Sequence, residues 1–283
     1  MDFSHEDSFA RDFIPPMTTI TSGIGLEVLP DLFCLPVQIV NVCLVGNPKE
    51  TNEFVLVDAG MPDCADVIMN AARERFGQSC KAKAIILTHG HFDHVGSLIE
   101  LAEAWDVSVY AHRLEIPYVT GKENYPPADS TVDKGLIAKI SPMFPNHGID
   151  AGRRVQPLPA DGTLHELSGW RWLHTGGHTP GHISLFRDKD RALIAGDAFV
   201  TVKQESLYKV ITQKQEINGP PKYFTTDWEA ARESVRHLDA LKPSVAITGH
   251  GLPLVGEKLS YELHRLAEQF DEIAIPEKGR YLH

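Results

Sequence analysis

Residues 88–97 read THGHFDHVGS. Three histidines and one aspartate, His89, His91, Asp93 and His94, fall within six positions, directly after the apolar run AKAIIL at 82–87. Such a run reads as a buried strand, so the cluster sits where a strand stops, the edge at which α/β sheets carry their sites. In an extended segment residues i and i+2 project to one side, so the imidazoles of His89 and His91 can reach one cation. Asp93 and His94 come as the chain turns into a helix and point towards a second cation or a bound water. Imidazole with carboxylate suits zinc and related first-row metals. A surface loop with chance histidines explains one histidine better than it explains four such groups together.

A lone cluster would leave a coordination sphere incomplete, and similar strand ends recur downstream. Residues 174–182, HTGGHTPGH, place His178 in a glycine-rich turn after the strand-like WRWL, with His182 four residues on. RALIAGDA at 191–198 is an apolar strand ending in Gly196-Asp197, and SVAITGHG at 244–251 repeats the design with Gly249-His250. Glycine at each end allows close backbone approach. Asp197 alone could be a turn residue and His250 a helix-start accident, but their joint recurrence argues for one site.

The rest of the chain supplies a frame. IGLEVLP, LFCLPV, IVNVCLVG and EFVLVDAG, separated by Pro30-Asp31 and Gly46-Asn47-Pro48, read as an antiparallel meander. Helical spacing follows at 62–76 and 94–105 around the strand AKAIILTH, with VSVYAH as the next strand, giving a βαβ unit. Strand rhythm returns in RVQPL, TLHELSG, WRWLHT, HISLFRD and RALIAGD, and the chain closes with helix 227–241, strand SVAITGH and helix 255–270. Both halves run from meander to helix, which points to an α/β fold of two similar layers packed sheet on sheet. Residues 1–20 read as an N-terminal extension and 21–283 as a single domain. Proline-rich, aperiodic stretches at about 112–150 and 200–225 read as lid-like insertions. Tyr118, Tyr125, Phe144, Phe199 and Tyr208 in and beside them are candidate pocket walls.

Composition bounds the function. The net charge of −11, from 38 acidic and 27 basic side chains, disfavours nucleic acid as a partner. Cys34, Cys43, Cys64 and Cys80 lack C-x-x-C spacing and read as free thiols, although Cys34 and Cys43 flank a hairpin and could pair across it. The first residues, MDFSHEDSF, lack a basic start and an apolar core, and no run approaches the ~20 apolar residues of a membrane span. A soluble, cytoplasmic protein with a small-molecule substrate and no membrane partner is expected, with a homodimer left open. At 283 residues the core does not need metal to fold, so any metal is expected to be catalytic.

THGHFDH, GGHTPGH, AGDAF and TGHG, in this order after an early VDAG, resemble the metallo-β-lactamase superfamily, over nearly the whole chain from about Gly23 to Phe270. The resemblance implies an αβ/βα four-layer sandwich. It implies that His89, His91 and His178 hold one divalent ion, that Asp93, His94 and His250 hold a second, and that Asp197 bridges them. Asp58 of VDAG and His182 would support the ligands from behind. His112, His147, His165 and His174 lie outside the matched motifs.

Two ions ~3.5–4 Å apart would share a hydroxide that is nucleophilic at neutral pH, with Asp93 accepting its proton. Zn2+ is the expected metal, with iron or manganese as alternatives. G-x-S-x-G is absent, and no serine or cysteine nucleophile stands in a recognisable setting. Penicillin-degrading members typically lack an aspartate at the position of Asp197, whereas thioesterase and lactonase members have one, and GGHTPGH is similar to the glyoxalase II turn. Lactonases of acylated homoserine lactones often carry a tyrosine where this chain has Val200. The expected function is hydrolysis of a carboxylic ester, lactone or thioester. The alternatives are a phosphodiesterase or nuclease, a β-lactamase, or an iron-dependent persulfide dioxygenase of the same superfamily.

Overall fold

The computed structural model describes residues 18–282, so most of the expected extension at 1–20 lies outside the described residues. The first sheet begins with β1 (Leu26–Leu29), β2 (Leu32–Val37), β3 (Val40–Val45) and β4 (Glu53–Val57), each antiparallel to the last. Helix α1 (Ala65–Phe76) carries the chain over to β5 (Lys81–Ile86), which pairs parallel to β4. After α2 (Phe92–Val95) and α3 (Leu98–Trp105), β6 (Val109–Ala111) extends the sheet in parallel. Then α4 (Ile116–Val119) and α5 (Leu136–Ile140) precede the edge strand β7 (Val155–Pro157), completing seven strands in chain order.

The second sheet holds β8 (Arg171–His174), β9 (Ile183–Arg187), β10 (Ala192–Gly196), β11 (Val245–Thr248) and β12 (Leu254–Val255), again in chain order. Between β10 and β11 run α6 (Leu207–Thr212) and α7 (Trp228–Ala240). Helices α8 (Gly256–Glu268) and α9 (Phe270–Ile273) follow β12.

Three apolar cores define four layers. Leu32, Val45, Val57 and Ile86 of the first sheet meet Leu185, Ile194, Val245 and Ile247 of the second in a core between the sheets. The outer face of the first sheet packs Leu44, Leu56 and Ile85 against Ile68 of α1 and Leu101 of α3. The outer face of the second packs Leu193 and Ala246 against Val235 of α7 and Leu263 of α8. This is the αβ/βα sandwich expected from sequence. Arg187 ties the halves at one end by donating to both carboxylate oxygens of Asp31, at 2.5 and 3.0 Å. Cys34 and Cys43 stand opposite each other across β2 and β3 as free, buried thiols, and burial pushes that of Cys34 up to about 12.

Two expected elements differ. The helix expected over 94–105 is broken between α2 and α3, where Ser97 leaves the helical region with φ −106° and ψ 14°, and the chain passes so close that a Cβ on Gly96 would lie 2.2 Å from the backbone nitrogen of Pro62. The connection after β4 docks on that break: Gly96 N–H donates to Gly60, and Ser97 Oγ to the Met61 carbonyl at 2.7 Å. The strand expected at TLHELSG is a turn. Leu164 and Leu167, three apart, both face the inter-sheet core, and Thr163 makes only an isolated bridge to Arg171. In a strand, residues three apart would face opposite sides, so their shared face is that of a turn. No described helix is long and apolar enough to cross a membrane.

Candidate metal centre

The loops after β5, β8, β10 and β11 meet at one end of the sandwich. The first sheet brings His89, His91, Asp93 and His94; the second brings His178, Asp197 and His250, and all seven are between 0% and 7% exposed. Their ligand atoms form three overlapping groups: His89, His91 and His178; His89, His94 and Asp197; Asp93, His94 and His250. Atoms within each group lie within 4.8 Å of one another. Asp197 lies in the middle, its Oδ2 at 3.5 Å from His178 Nε2, 3.7 Å from His94 Nε2 and 3.3 Å from His250 Nε2. Asp93 Oδ2 stands 3.3 Å from His250 Nε2, and His91 Nδ1 3.0 Å from His178 Nε2. None of the groups contains His112, His147, His165 or His174.

The outward ring nitrogens of His89, His94, His178 and His250 are engaged, which fixes which of their nitrogens faces inward. His94 Nδ1 meets Asp58 Oδ2 at 2.9 Å, His89 Nδ1 meets Thr88 Oγ1 at 3.1 Å and His178 Nδ1 meets Thr225 Oγ1 at 3.2 Å. His250 Nδ1 donates to the Ile39 carbonyl at 2.8 Å, so the β2–β3 turn of the first sheet steadies a loop of the second. Asn41 reinforces that link by donating to Thr248 and Gly251 carbonyls. Asp58, in a left-handed conformation that aspartate tolerates, also accepts from Thr88 N–H and Oγ1–H at 2.7 and 2.8 Å. His182 faces the group from behind: its Nε2 accepts the Asp197 N–H at 2.8 Å and its Nδ1 meets Thr175. Gly249 leaves the room, since a Cβ there would lie 2.1 Å from Asp197 Oδ1.

Electrostatics split the cluster. Burial, above all, pushes His89 and His178 well below the usual imidazole range, His91 down to about 4 and His182 to about 3. Burial also opposes charge on His94 and His250. There the surrounding carboxylates win: Asp58, Asp197 and Asp93 raise His94 well above its ordinary value, and Asp197 and Asp93 raise His250 to about 10. Burial would raise Asp197, yet His250 and His94 carry it well below the usual carboxylate range. His89, His91 and His178 are therefore neutral, while the ionised carboxylates hold protons on His94 and His250, where a cation would replace them.

The donor set fits a metal on a second count. His89 Nε2, His94 Nε2 and Asp197 Oδ1 are buried with no hydrogen-bond partner, half of such atoms among the described residues, and all three belong to one group. An unsatisfied buried polar atom costs about 1–3 kcal/mol, and three that converge are what a cation would satisfy together.

The candidate wall residues divide between contacts with the cluster and places elsewhere. Tyr125 packs its ring 4.5 Å from that of His91 and stacks on Tyr118 at 4.0 Å, and Phe144 packs against Phe92. Phe199 instead belongs to the outer core of the second sheet, and Tyr208 is 71% exposed. Sequence reasoning missed Phe224, 4.5 Å from the His91 ring, together with Thr88, Thr225 and Glu115. Thr88 adjoins the motif and was readable; Thr225 and Glu115 sit in the aperiodic segments, where spacing carries no signal.

A family model described as metallo-beta-lactamase superfamily matches residues 35–250. The chain belongs to that superfamily. Within it, the chain is 52% identical over 258 residues to a "probable metallo-hydrolase", YflN of Bacillus subtilis, covering 91% of this chain and 98% of the relative. It is 28% identical over 120 residues to the hydroxyacylglutathione hydrolase GloC of Haemophilus influenzae, covering 41% of this chain and 49% of that protein. Among solved folds of the superfamily, the protein TTHA1429 of Thermus thermophilus superposes with a TM-score of 0.59 at 23% identity, covering 87% of this chain and 81% of that one.

Proposed function

We propose that this chain is a dinuclear metal-dependent hydrolase that opens a carboxylic ester, lactone or thioester of a small molecule. The observation that carries the proposal is the convergence of four strand ends on Asp197, whose Oδ2 faces His94, His178 and His250 at once. His89, His91 and His178 would hold one ion, Asp93, His94 and His250 the other, with Asp197 between them. Zn2+ suits imidazole and carboxylate donors, and iron or manganese would fit the same set. When bound, the ions would lower the pKa of a coordinated water and polarise the substrate carbonyl.

The chain's own residues supply the rest. Asp93, at 7% the most exposed of the seven, would hold an ion through Oδ2, which faces His250, and take the nucleophile's proton on its other oxygen to return it to the leaving group. Asp58, Thr88, Thr225 and Ile39 hold the rings so that inward nitrogens keep free lone pairs. Tyr125 and Phe224, packed on His91, exclude water from that side. Among the described residues, no serine or cysteine side chain hydrogen-bonds to these seven, so a covalent nucleophile has no support. Relatives named metallo-hydrolase and hydroxyacylglutathione hydrolase support the hydrolytic and thioester parts of the reading.

Metal-analysed protein assayed on a panel tests this. Turnover of p-nitrophenyl acetate, lactones or thioesters is expected to exceed that of bis(p-nitrophenyl) phosphate and β-lactams. A phosphodiester preferred over every acyl substrate would reject the reading. For Asp58→Asn, which keeps the shape and loses the charge behind His94, metal affinity is expected to fall about tenfold to a hundredfold. A competition titration with a chromogenic chelator measures it, and an unchanged affinity would remove Asp58 from its supporting role.

A further inference from the structure

Glu115, directly before α4, is 0% exposed, and its carboxylate has no basic side chain in ion-pair reach among the described residues. Four donors surround it. On one oxygen, Oε2, it accepts the Gly90 N–H at 3.0 Å and the Tyr125 hydroxyl; on the other, Oε1, it accepts Thr179 Oγ1–H and Gly181 N–H, both at 2.8 Å. Gly90 lies between His89 and His91, Thr179 follows His178, and Gly181 precedes His182. One side chain thus spans the two loops that bring His89, His91 and His178 together, and the Tyr125 ring it holds lies on His91. Burial works against this charge, so shape alone would favour an apolar residue in its place. What the carboxylate offers is an acceptor at both ends, which two fixed backbone N–H groups on different loops require.

We propose that Glu115 is a positioning residue that locks the His89–His91 loop to the His178 turn and thereby sets the metal affinity of that pocket, with little effect on the Asp93, His94 and His250 pocket. The proposal rests on the metal reading above. Its chemistry predicts an unusual ranking of substitutions. In Glu115→Gln the amide NH2 must face either Gly90 N–H or Gly181 N–H, a donor against a donor whichever way it flips. In Glu115→Asp the charge survives but the side chain is one methylene too short to span both loops. Tyr125→Phe and Thr179→Ala each remove one donor and leave the carboxylate in place.

The test is a zinc titration of apo protein against a chromogenic chelator, in two backgrounds. His250→Ala leaves the His89, His91 and His178 pocket to report; His91→Ala leaves the other. In the first background Glu115→Gln and Glu115→Asp are expected to weaken zinc about tenfold to a hundredfold, and Tyr125→Phe and Thr179→Ala less. In the second, all four are expected to stay within about threefold. Melting of the apo proteins is read alongside: a purely architectural Glu115 would lower the apo melting temperature and leave zinc affinity unchanged. That result, or equal losses in both backgrounds, overturns the proposal. Should the glutamate variants not fold, Tyr125→Phe and Thr179→Ala decide it, and unchanged zinc affinity in both would overturn it. Failure of the unsubstituted chain to take up two ions would instead reject the metal reading.

Discussion

Asp197→Ala is expected to lower kcat/KM by about a thousandfold and to leave fewer than two ions per chain. Three histidines from three different loops face its Oδ2 within 3.7 Å, so its loss removes the anion shared by both pockets. A metal's stabilisation of developing charge is worth several kcal/mol, and about 4 kcal/mol corresponds to about a thousandfold in rate. Alanine also leaves His94 and His250 short of a carboxylate that favours their charge. His182 and the Asp197 backbone N–H it accepts are untouched, so the loop itself should persist. Metal analysis and steady-state kinetics on the same sample check the prediction. Two bound ions with undiminished turnover would contradict the central place given to Asp197.

Stripping metal with a chelator is expected to abolish hydrolysis and lower the melting temperature by about 10 °C without unfolding the chain. Two ions, each present at about thirtyfold over its dissociation constant, together contribute about 4 kcal/mol, and each kcal/mol is worth roughly 2–4 °C in a domain of this size class. The fold should survive because its three apolar cores are built mostly from strands and helices away from the ligand loops. Circular dichroism before and after chelation, with zinc added back, measures both parts. Full activity in protein shown to be metal-free would end the metal hypothesis.

Much of the fold was legible because its signals are local. Apolar runs bounded by glycine and proline marked β2 to β5 and β9 to β11, and amphipathic spacing marked α1, α7 and α8. The ligand-type residues were legible because each follows a strand, and strands of a sheet end together. What escaped depends on tertiary contact. The break between α2 and α3 falls where the backbone of Met61 and Pro62 packs on Gly96, a contact that no periodicity records. That Leu164 and Leu167, three apart, share one face, as a turn allows and a strand does not, shows only once the opposing sheet is in place. Glu115 reads as an ordinary charged residue before a short helix, and only the fold brings Gly90 and Gly181 to its two oxygens.

The division of donors between the sheets has a consequence for biogenesis. A nascent chain that has made only the first sheet carries His89, His91, Asp93 and His94, yet lacks His178, Asp197 and His250. It would hold ions loosely and exchange them freely. Capture of one ion would begin once the His178 turn and Asp197 dock, and of a second only when β11 brings His250, so a full complement of two ions in a purified sample would count finished molecules.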